Sequence, residues 1–565
     1  MKRKRFLGVI ISTAMILSLL AGCGSYQSNP NTGQTSVTEN GSKTSSENSQ
    51  EKSENTSINK NVNTNLTQAD NVDPGTVNIA INSTVTSYGP FVVAQNGYNF
   101  VKNYVYETLG EFGSGGTEFQ GILAKSWTQT DEDGFEFDVE IYDNITDSKG
   151  NSITADDVVW SYQTVMETGT NNMVSAATVT SLEAVGENTV HFVLAKNTIG
   201  ALESVLRGVN IVSRKEYESS ADEMASNPVG TGHYVVTDFV SDSSISVTKR
   251  EDYWQKEESL IADVSRANVT TIQIQEITET SQMAIALQTG TIDVAVGINA
   301  ISTEMFLNNQ DYTVFSTPSK LGMQLYFSGD SHSALSTSKE LRQAVSYAIN
   351  IDAIIAAVYG GYGKPQYVFG TDQVPDFQES WYGEDYYSYD LNKAKELLSA
   401  AGYKEGELTL SLLTVNDDTY VKYAEIIQSN LLAAGIRVEI NAVEGALYMS
   451  SFQDSKQYDM VLNNVTGNYI TNIWANKLGQ EYYNGTTMSG FTDDTLQGLL
   501  DTCNSIDGHT PENIDKCWQY IKDSNYVYSM AAPEAFTVVS SKIKVGNPMY
   551  DGLSNFVVAG TVYTE

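Results

Sequence analysis

Apolar residues change their spacing within the first part of the chain, and this change predicts a strand followed by a helix. Residues 135–141 alternate apolar and charged side chains, which is the pattern of a strand with one buried face. Over 158–166 the apolar residues recur at helical spacing, so one face of that segment is apolar. Thr154, with Asp157 three residues later, has the composition of a helix start, where a capping side chain and an acid stabilise free amides.

The same two patterns recur along the chain and predict two strand–helix–strand units. Such units favour parallel pairing, so the sequence predicts two α/β lobes. Strands are predicted at 77–81, 190–194, 272–275, 293–296, 323–327, 408–415, 436–440, 536–539 and 556–558. Helices are predicted at 282–288, 339–358, 420–434, 492–504 and 511–522, and Asp390 is expected to cap a short helix that ends at Gly402.

Residues 227–234 contain a turn with two glycines, Gly230 and Gly232. Glycine adopts positive φ without steric cost, so we expect a tight turn that uses positive φ at these positions. We interpret it as a turn where the chain passes between domains.

The first residues have the pattern of a targeting segment. Basic residues 2–5 precede an apolar stretch, 6–20, that is too short to span a membrane comfortably. The stretch ends in Leu-Ala-Gly-Cys, which resembles the bacterial lipoprotein box and implies cleavage before Cys23 and acylation of its thiol. The alternative is an ordinary signal peptide with a chance cysteine. An acylated chain would be anchored to the membrane and would not span it.

Residues 24–72 consist almost entirely of small polar and charged residues. A segment with so few large apolar groups cannot offset the entropy lost on ordering, so we expect a disordered tether. Flexible-chain statistics give it a reach of about 40 Å. A tether of this length fits an outward-facing lipoprotein on a Gram-positive cell surface.

Charge and composition exclude some functions. The net charge of −36 repels phosphate backbones and anionic lipid surfaces, which argues against nucleic-acid binding and against peripheral adhesion to lipid. The 33 tyrosines supply side chains that can line a pocket with apolar, hydrogen-bonding walls, although most of them are expected in the core or on the surface.

No catalytic or metal-binding constellation is present in the sequence. The four histidines have no ligand spacing, so we expect no metal site, and a metal carried by a small chelator stays open. Phosphate-binding and nucleophile-elbow motifs are absent, and the acidic pairs stand at predicted helix starts, where capping is their ordinary role. We therefore expect a protein that is not an enzyme and needs no cofactor.

Several separated segments resemble the extracellular solute-binding proteins of ABC importers, in the family that binds oligopeptides, dipeptides and nickel. The family pattern Leu-Ala-x-Ser-Trp stands at 123–127, and its Thr-Ala-x-Asp-Val helix start at 154–158. The pattern Asn-Pro-x-Gly-Thr-Gly-Pro-Tyr stands at 227–234, with His233 in place of the proline. Further matches lie at 105–109, 252–254, 286–293, 341–349 and 458–462.

This resemblance implies a periplasmic-binding-protein-like α/β fold of type II. Two α/β lobes would be joined by a two-stranded hinge, with an extra domain in the N-terminal half. The implied division is a signal peptide at 1–23, a tether at 24–72, a discontinuous lobe I at 77–112, 228–318 and 526–565, the extra domain at 113–227 and lobe II at 319–525.

The function that the resemblance implies is capture of a peptide-like solute by hinge closure and its delivery to ABC permease subunits. The protein would be lipid-anchored on the outer face of the cytoplasmic membrane. Other classes stay open: the same fold binding an oligosaccharide or another neutral solute, a surface sensor or adhesin, and a secreted lipoprotein enzyme.

The expected ligand residues follow the predicted strand 458–462. In peptide-binding relatives a Trp-x-x-Asp segment follows this strand, and its Asp pairs with the peptide's α-ammonium. Here Val465 stands for the Trp and Asn468 for the Asp, so the charge is lost. Either another acid supplies it, or the ligand has no free α-amine, as in blocked peptides, cyclic peptides and sugars. Further candidate ligand residues are Tyr88, Tyr326 and Tyr469.

Cys503 and Cys517 lie on the two predicted C-terminal helices. An extracytoplasmic location permits a disulfide between them, and a helical hairpin would bring them together. The pair is a candidate disulfide, and the sequence does not decide whether it forms.

Overall fold

The structure is a computed structural model of the whole chain, and it describes residues 75–92, 96–113, 118–171, 174–480, 489–548 and 556–563. The predicted signal segment, Cys23 and the predicted tether lie outside the described residues.

The strands are short and are distributed over the whole described chain. In order they are β1 (Thr76–Ile81), β2 (Gly110–Phe112), β3 (Phe119–Gly121), β4 (Ala124–Gln129), β5 (Glu136–Ile141), β6 (Val179–Ala184), β7 (Thr189–Leu194), β8 (Tyr234–Val240), β9 (Ser244–Lys249), β10 (Thr271–Glu276), β11 (Val294–Ile298), β12 (Tyr312–Pro318), β13 (Gly322–Phe327), β14 (Gly363–Pro365), β15 (Leu408–Val415), β16 (Ile436–Val443), β17 (Met460–Val465), β18 (Val527–Ser529), β19 (Ala531–Ser540), β20 (Lys544–Val545) and β21 (Val562–Tyr563).

Helices alternate with these strands. They are α1 (Asn96–Val105), α2 (Ala155–Thr168), α3 (Ala201–Leu206), α4 (Arg214–Ser219), α5 (Thr280–Thr289), α6 (Ala300–Thr303), α7 (Lys339–Ala348), α8 (Ile351–Val358), α9 (Leu391–Ala400), α10 (Asp418–Ala433), α11 (Gly445–Phe452), α12 (Ile470–Leu478), α13 (Asp494–Asn504), α14 (Pro511–Ser524) and α15 (Val558–Thr561).

A mixed eight-stranded sheet forms the centre of what we call the first lobe. Its main path runs β12-β19-β11-β1-β10-β9-β8, and β14 pairs with β19 off this path. The predicted unit β10–α5–β11 is confirmed, because both of its strands pair in parallel with β1. Alternate residues of β1, such as Val77 and Ile79, are fully buried in the core.

A four-stranded antiparallel sheet, β4-β5-β7-β6, packs with α2 in the same lobe. The alternation predicted over 135–141 is confirmed in β5, where Phe137 and Val139 point into the core. The predicted start of α2 is also confirmed, since the backbone amide of Thr154 donates to Asp157 Oδ2 at 3.0 Å. The core of this sheet is continuous with that of the eight-stranded sheet.

The second lobe is built on a five-stranded sheet of order β16-β15-β17-β13-β18. β15 pairs in parallel with β16 and β17, which confirms the second predicted α/β unit. β13 is antiparallel to β17 and β18. Apolar residues from the sheet and from the helices on its faces form a separate core.

Within the described residues the chain passes between the lobes four times: from β12 to β13, from α8 to β14, after β14, and from β18 to β19. The first, third and fourth of these connections lie side by side. They are hydrogen-bonded to one another, since Met530 N donates to Met323 O and Gln366 N donates to Met530 O, both at 2.9 Å. The domain boundaries remain a prediction. Two observations bear on them: β18 lies in the second sheet, and β14, within the range predicted for lobe II, pairs with a strand of the first lobe.

Two predicted elements differ in the structure. The single helix predicted over 339–358 is two helices, α7 and α8, which meet at an angle of 49°. The break arises because the Asn350 side chain accepts a hydrogen bond from Ala353 N at 3.0 Å and so starts a new helix. The strand predicted at 556–558 is also wrong, because Val558 begins the short helix α15.

The glycine turn at 227–234 is present, but the physical reason given for its glycines is wrong. Neither Gly230 nor Gly232 has positive φ. Instead, a Cβ on Gly230 would lie 2.1 Å from Val105 O, and one on Gly232 would lie 2.7 Å from Tyr104 O. The glycines are therefore required by close approach of two backbone segments.

Among the described residues, no single helix has both the length and the hydropathy needed to cross a membrane. The bent pair α7 and α8 meets those criteria only when the two helices are taken together.

Candidate functional site

The candidate site lies where the strand ends of the second lobe face the first lobe. β13 begins at the connection between the lobes, and its first residue, Gly322, is paired with Val465 at the end of β17. The carboxyl ends of parallel strands are where ligands bind in open α/β sheets. The chain from Val465 to the start of α12, including Asn468, therefore lies at the edge expected to bind a solute.

Tyr469 is the side chain of this segment that reaches across to the first lobe. Its ring lies edge-on to Phe112 with a centroid distance of 6.4 Å. It also packs against Gly200, where a Cβ would lie 2.7 Å from Tyr469 Cδ2. Gly200 has a φ of 70°, so both its backbone conformation and its close contact favour glycine. The two lobes thus meet directly at Tyr469.

A second contact between the lobes lies beside this one, and we call it the interlobe contact. The backbone amide of Ile199 donates to Asn504 O at 2.9 Å, and Thr198 forms an antiparallel bridge with Ser505. Thr198 and Ile199 belong to the first lobe, and Asn504 and Ser505 end α13 of the second. These groups are all backbone, so the contact depends on where α13 ends.

Asp376 fixes the start of α12 just after Tyr469. Its carboxylate accepts from Ile470 N at 2.6 Å, from Thr471 N at 3.1 Å and from Thr471 Oγ1 at 3.0 Å. The first amides of a helix lack internal partners, so this buried carboxylate satisfies them and complements the helix dipole. Asp376 therefore positions Tyr469 and has little capacity left to bind a ligand.

On the first lobe, a buried ion pair supports Phe112. Arg207 Nε lies 2.9 Å from Glu111 Oε1, and both side chains are at most about one-tenth exposed. The Arg207 guanidinium lies 5.6 Å from the centre of the Phe112 ring. Each charge offsets the other, so this wall of the site presents an aromatic ring and no free charge from the pair.

Glu203 is an acid near Tyr469 that the sequence reasoning did not identify. It lies on α3, one turn after Gly200, and burial raises the pKa of its carboxyl. The pKa of Tyr469 is raised to about 12, mainly by burial and further by the negative charges of Glu203 and Asp376. No local sequence signal marks Glu203, because only the fold brings Gly200 and the start of α3 to Tyr469.

The predicted ligand residues do not form one group in the structure. Asn468 is half-buried beside Tyr469. Tyr88 is fully buried in the first lobe, where its hydroxyl donates to Val101 O at 2.6 Å. Tyr326 is fully buried in the second lobe, edge-on to Phe369 at 5.9 Å. In this arrangement Tyr88 and Tyr326 have packing roles, and their contact with a ligand stays a prediction.

The candidate disulfide is not formed in the structure. Cys503 and Cys517 are buried free thiols on α13 and α14. They are neighbours, because the Cys517 thiol interacts with that of Cys503, and this interaction together with burial raises the Cys517 pKa. Whether the pair is oxidised in the mature protein stays a prediction.

The described residues contain no group of three or more His, Cys, Asp or Glu side chains that could hold a metal ion. His509 is the histidine nearest the site, with its ring 6.0 Å from that of Tyr469 and Nε2 4.0 Å from Asp376 Oδ2. The groups placed near Tyr469 are the rings of Phe112 and His509 and the carboxyl groups of Glu203 and Asp376.

A family model described as bacterial extracellular solute-binding proteins, family 5 middle region, matches residues 118–478. The chain belongs to this family. The predicted fold class, a type II periplasmic-binding-protein-like α/β fold, is confirmed by the structural neighbours. Family and fold are those of solute-binding components of ABC importers, which act outside the cytoplasm, and not those of enzymes.

The chain is similar over most of its length to proteins that are named for the solutes they bind. Heme-binding protein A of Haemophilus influenzae is 25% identical over 459 residues, which cover 72% of this chain and 78% of that protein. The glutathione-binding protein GsiB of Shigella flexneri is 25% identical over 377 residues, 65% of this chain and 70% of the relative.

Among solved structures, the periplasmic binding protein DppA of Helicobacter pylori in complex with the peptide STSA has a TM-score of 0.69. It is 22% identical, and the alignment covers 87% of this family 5 protein and 98% of that chain. This structural similarity shows that the two proteins share a fold.

Proposed function

We propose that this family 5 protein captures a peptide-like solute between its lobes and delivers it to the permease of an ABC importer. The observation that carries the proposal is the position of Tyr469, which follows the predicted ligand residue Asn468 and meets Phe112 and Gly200 of the other lobe. A solute held there touches both lobes, so its binding favours the closed arrangement. Relatives named for glutathione and peptide binding support a peptide-like ligand.

The ligand, we infer, has no free α-amine at Asn468. An amide in place of a carboxylate removes charge assistance from an ammonium group, on the order of 2–5 kcal/mol. The nearby carboxylate of Asp376 is already bound to backbone amides, so it does not replace the lost charge. Blocked and cyclic peptides meet this condition, and a neutral oligosaccharide is the alternative ligand that also needs no charge at Asn468.

Calorimetry with a tetrapeptide and its N-acetyl form tests the role of Asn468. The native protein is expected to bind the acetylated form at least as tightly, and Asn468→Asp is expected to shift the preference toward the free amine. Asn464→Asp, at an exposed position of β17, is the control and should leave the preference unchanged. A strong preference of the native protein for the free amine would refute the idea, and Glu203→Gln would then show whether Glu203 supplies the charge.

Anchoring is the second part of the proposal. Acylation of Cys23 would hold the mature chain at the outer face of the membrane. Cys23→Ala is expected to move the protein from the membrane fraction to the medium or to block its processing. Equal membrane retention of the native and variant proteins would exclude a lipid anchor at this residue.

Delivery to a permease is tested by uptake. A strain that lacks this protein but keeps the transporter genes is expected to lose uptake of the solute that the purified protein binds. Normal uptake in that strain would favour a sensor or an adhesin over an importer.

A further inference from the structure

The helices α13 and α14 form a hairpin that carries the interlobe contact. Cys503 lies in the last turn of α13, and the next two residues, Asn504 and Ser505, are the ones that meet Thr198 and Ile199 of the first lobe. Any change in how the end of α13 is held is therefore transmitted directly to this contact.

The loop between the two helices is held by its own hydrogen bonds. Ser505 Oγ donates to Thr502 O at 2.8 Å and accepts from Gly508 N at 3.0 Å. Asn513 Nδ2 donates to Gly508 O at 3.0 Å, so the start of α14 holds the loop as well. The loop is thus a fixed connection between the cysteine-bearing turn and the start of α14.

The hairpin also reaches the ligand site. His509 Nδ1 lies 3.0 Å from Cys503 O, and the His509 ring lies edge-on to Tyr469. The residue after Cys503 takes part in the interlobe contact, and the His509 side chain connects the Cys503 carbonyl to the ring of Tyr469.

Both cysteines lie in the interface between α13 and α14. Cys503 and Cys517 are fully buried, and their side chains interact across the interface of α13 and α14. Family members act outside the cytoplasm, where disulfides persist. Two buried thiols on packed helices in such a compartment are candidates for a structural disulfide.

We propose that Cys503 and Cys517 form a disulfide in the mature protein, and that this bond stabilises the hairpin and with it the interlobe contact. The S–S bond forms by exchange with the disulfide of an extracytoplasmic thiol–disulfide oxidoreductase. The two cysteine thiols lose two protons and two electrons, and the oxidant's disulfide is reduced to two thiols. Any effect of the disulfide on closure of the lobes around a solute rests on the proposed function, whereas formation of the disulfide does not.

The bond forms during folding. Both thiols are fully buried in the folded hairpin, so reagents reach them slowly there. The interaction with Cys503 and burial also raise the Cys517 pKa, which lowers the fraction of reactive thiolate. The redox state set during folding would then persist in the folded protein.

Peptide mapping of the full chain, purified from an oxidising compartment and alkylated without reductant, tests the bond. The expected result is a linked peptide pair that contains Cys503 and Cys517 and separates on reduction. Uptake of the alkylating reagent by both thiols in the unfolded, unreduced protein would overturn the proposal. Reduction is also expected to lower the melting temperature by roughly 2–4 °C.

Hydrogen exchange of the ligand-free full chain tests the effect on the interlobe contact. The Ile199 amide donates across that contact, so its exchange is expected to be slow in the oxidised protein and at least severalfold faster after reduction. Peptides from β5 are the internal control and should not change. In the double variant Cys503→Ser/Cys517→Ser, the Ile199 amide should exchange as fast as in the reduced protein, and adding reductant should not change that rate. A linked pair without any change at Ile199 would overturn the effect on closure and leave the ligand proposal unaffected.

Discussion

Arg207 and Glu111 form a buried pair beside Phe112, and the pair can be tested by removing one charge or both. Arg207→Met leaves the Glu111 carboxylate buried without its partner, which typically costs about 3–5 kcal/mol of unfolding free energy. Adding Glu111→Leu is expected to restore most of that loss, because no buried charge remains. Urea unfolding of the two single variants and the double variant measures the coupling. Additive losses would mean that the two charges do not depend on one another.

His233 predicts a pH dependence of stability. Its ring stacks on Tyr253 with a centroid distance of 3.4 Å, and burial, followed by the charges of Lys249, Arg250 and Lys256, lowers its pKa to about 3. In the unfolded chain the pKa is about 6.5, so the unfolded state binds a proton first as the pH falls. The folded protein should therefore lose about 1.4 kcal/mol per pH unit between pH 6.5 and 3 from this group.

His233→Phe retains a stacking ring and removes the titration. The difference in unfolding free energy between the native and variant proteins, measured from pH 7 to pH 4, should be constant above pH 6.5 and should then turn against the native protein. Parallel curves over the whole range would show that His233 does not titrate as a buried group.

At the residue scale, sequence patterns located groups but not their partners. The matched segments 105–109 and 252–254 are far apart in the chain, and the structure shows why both are needed: Glu107 accepts from Tyr253 Oη at 2.7 Å and from Trp254 Nε1 at 3.0 Å. Burial raises the pKa of Glu107. Periodicity cannot reveal such a pairing, since it reports on which face a residue lies and not on what it meets.

Elements were predictable where one local pattern dominated. The strands and helices of both α/β units follow from their apolar spacing, and the α2 start follows from Thr154 and Asp157. The break between α7 and α8 could not be predicted in this way. Apolar spacing continues across Asn350, and its capping bond competes with helix continuation only in the folded structure.

The turn that contains Gly230 packs so closely on the backbone at Val105 that a larger residue at position 230 should destabilise the protein. Gly230→Ala places a Cβ 2.1 Å from Val105 O, so the two segments must separate, and we expect a loss of about 1–3 kcal/mol. Gly498→Ala is the matched control, because it lies in α13 with nothing within 4 Å of its Cβ. It should stabilise the protein by about 0.5–1 kcal/mol through helix propensity. Thermal unfolding of both variants distinguishes a packing requirement from a general effect of glycine.

At the scale of the whole molecule, the contact between Gly200 and Tyr469 connects stability to closure. Gly200→Ala and Gly169→Ala both place alanine at positive φ, 70° and 64°, and both should lose about 1 kcal/mol or more. Only Gly200 has Tyr469 within 2.7 Å of its Cβ, whereas nothing lies within 4 Å at Gly169.

Gly200→Ala should therefore also speed exchange of the Ile199 amide and weaken solute binding. Gly169→Ala should do neither. If both variants change Ile199 exchange equally, the effect comes from backbone strain and not from the interlobe surface.

The two-lobe architecture was accessible from sequence because each lobe contains its own strand–helix–strand unit. The site was accessible only in part. Asn468 follows from a family pattern, and Tyr469 was only one of several candidate tyrosines. Phe112, Gly200 and Glu203 come from the other lobe and give no local signal. Their approach to Tyr469 is a property of the folded chain.

Native mass spectrometry of residues 73–565, purified without refolding, tests directly whether the protein binds a peptide-like solute. We expect a one-to-one complex whose bound masses correspond to peptide-like compounds. A single bound mass with no amino-acid composition would contradict the proposed ligand class. An empty protein that also takes up no member of an added peptide mixture would contradict capture of peptide-like solutes altogether.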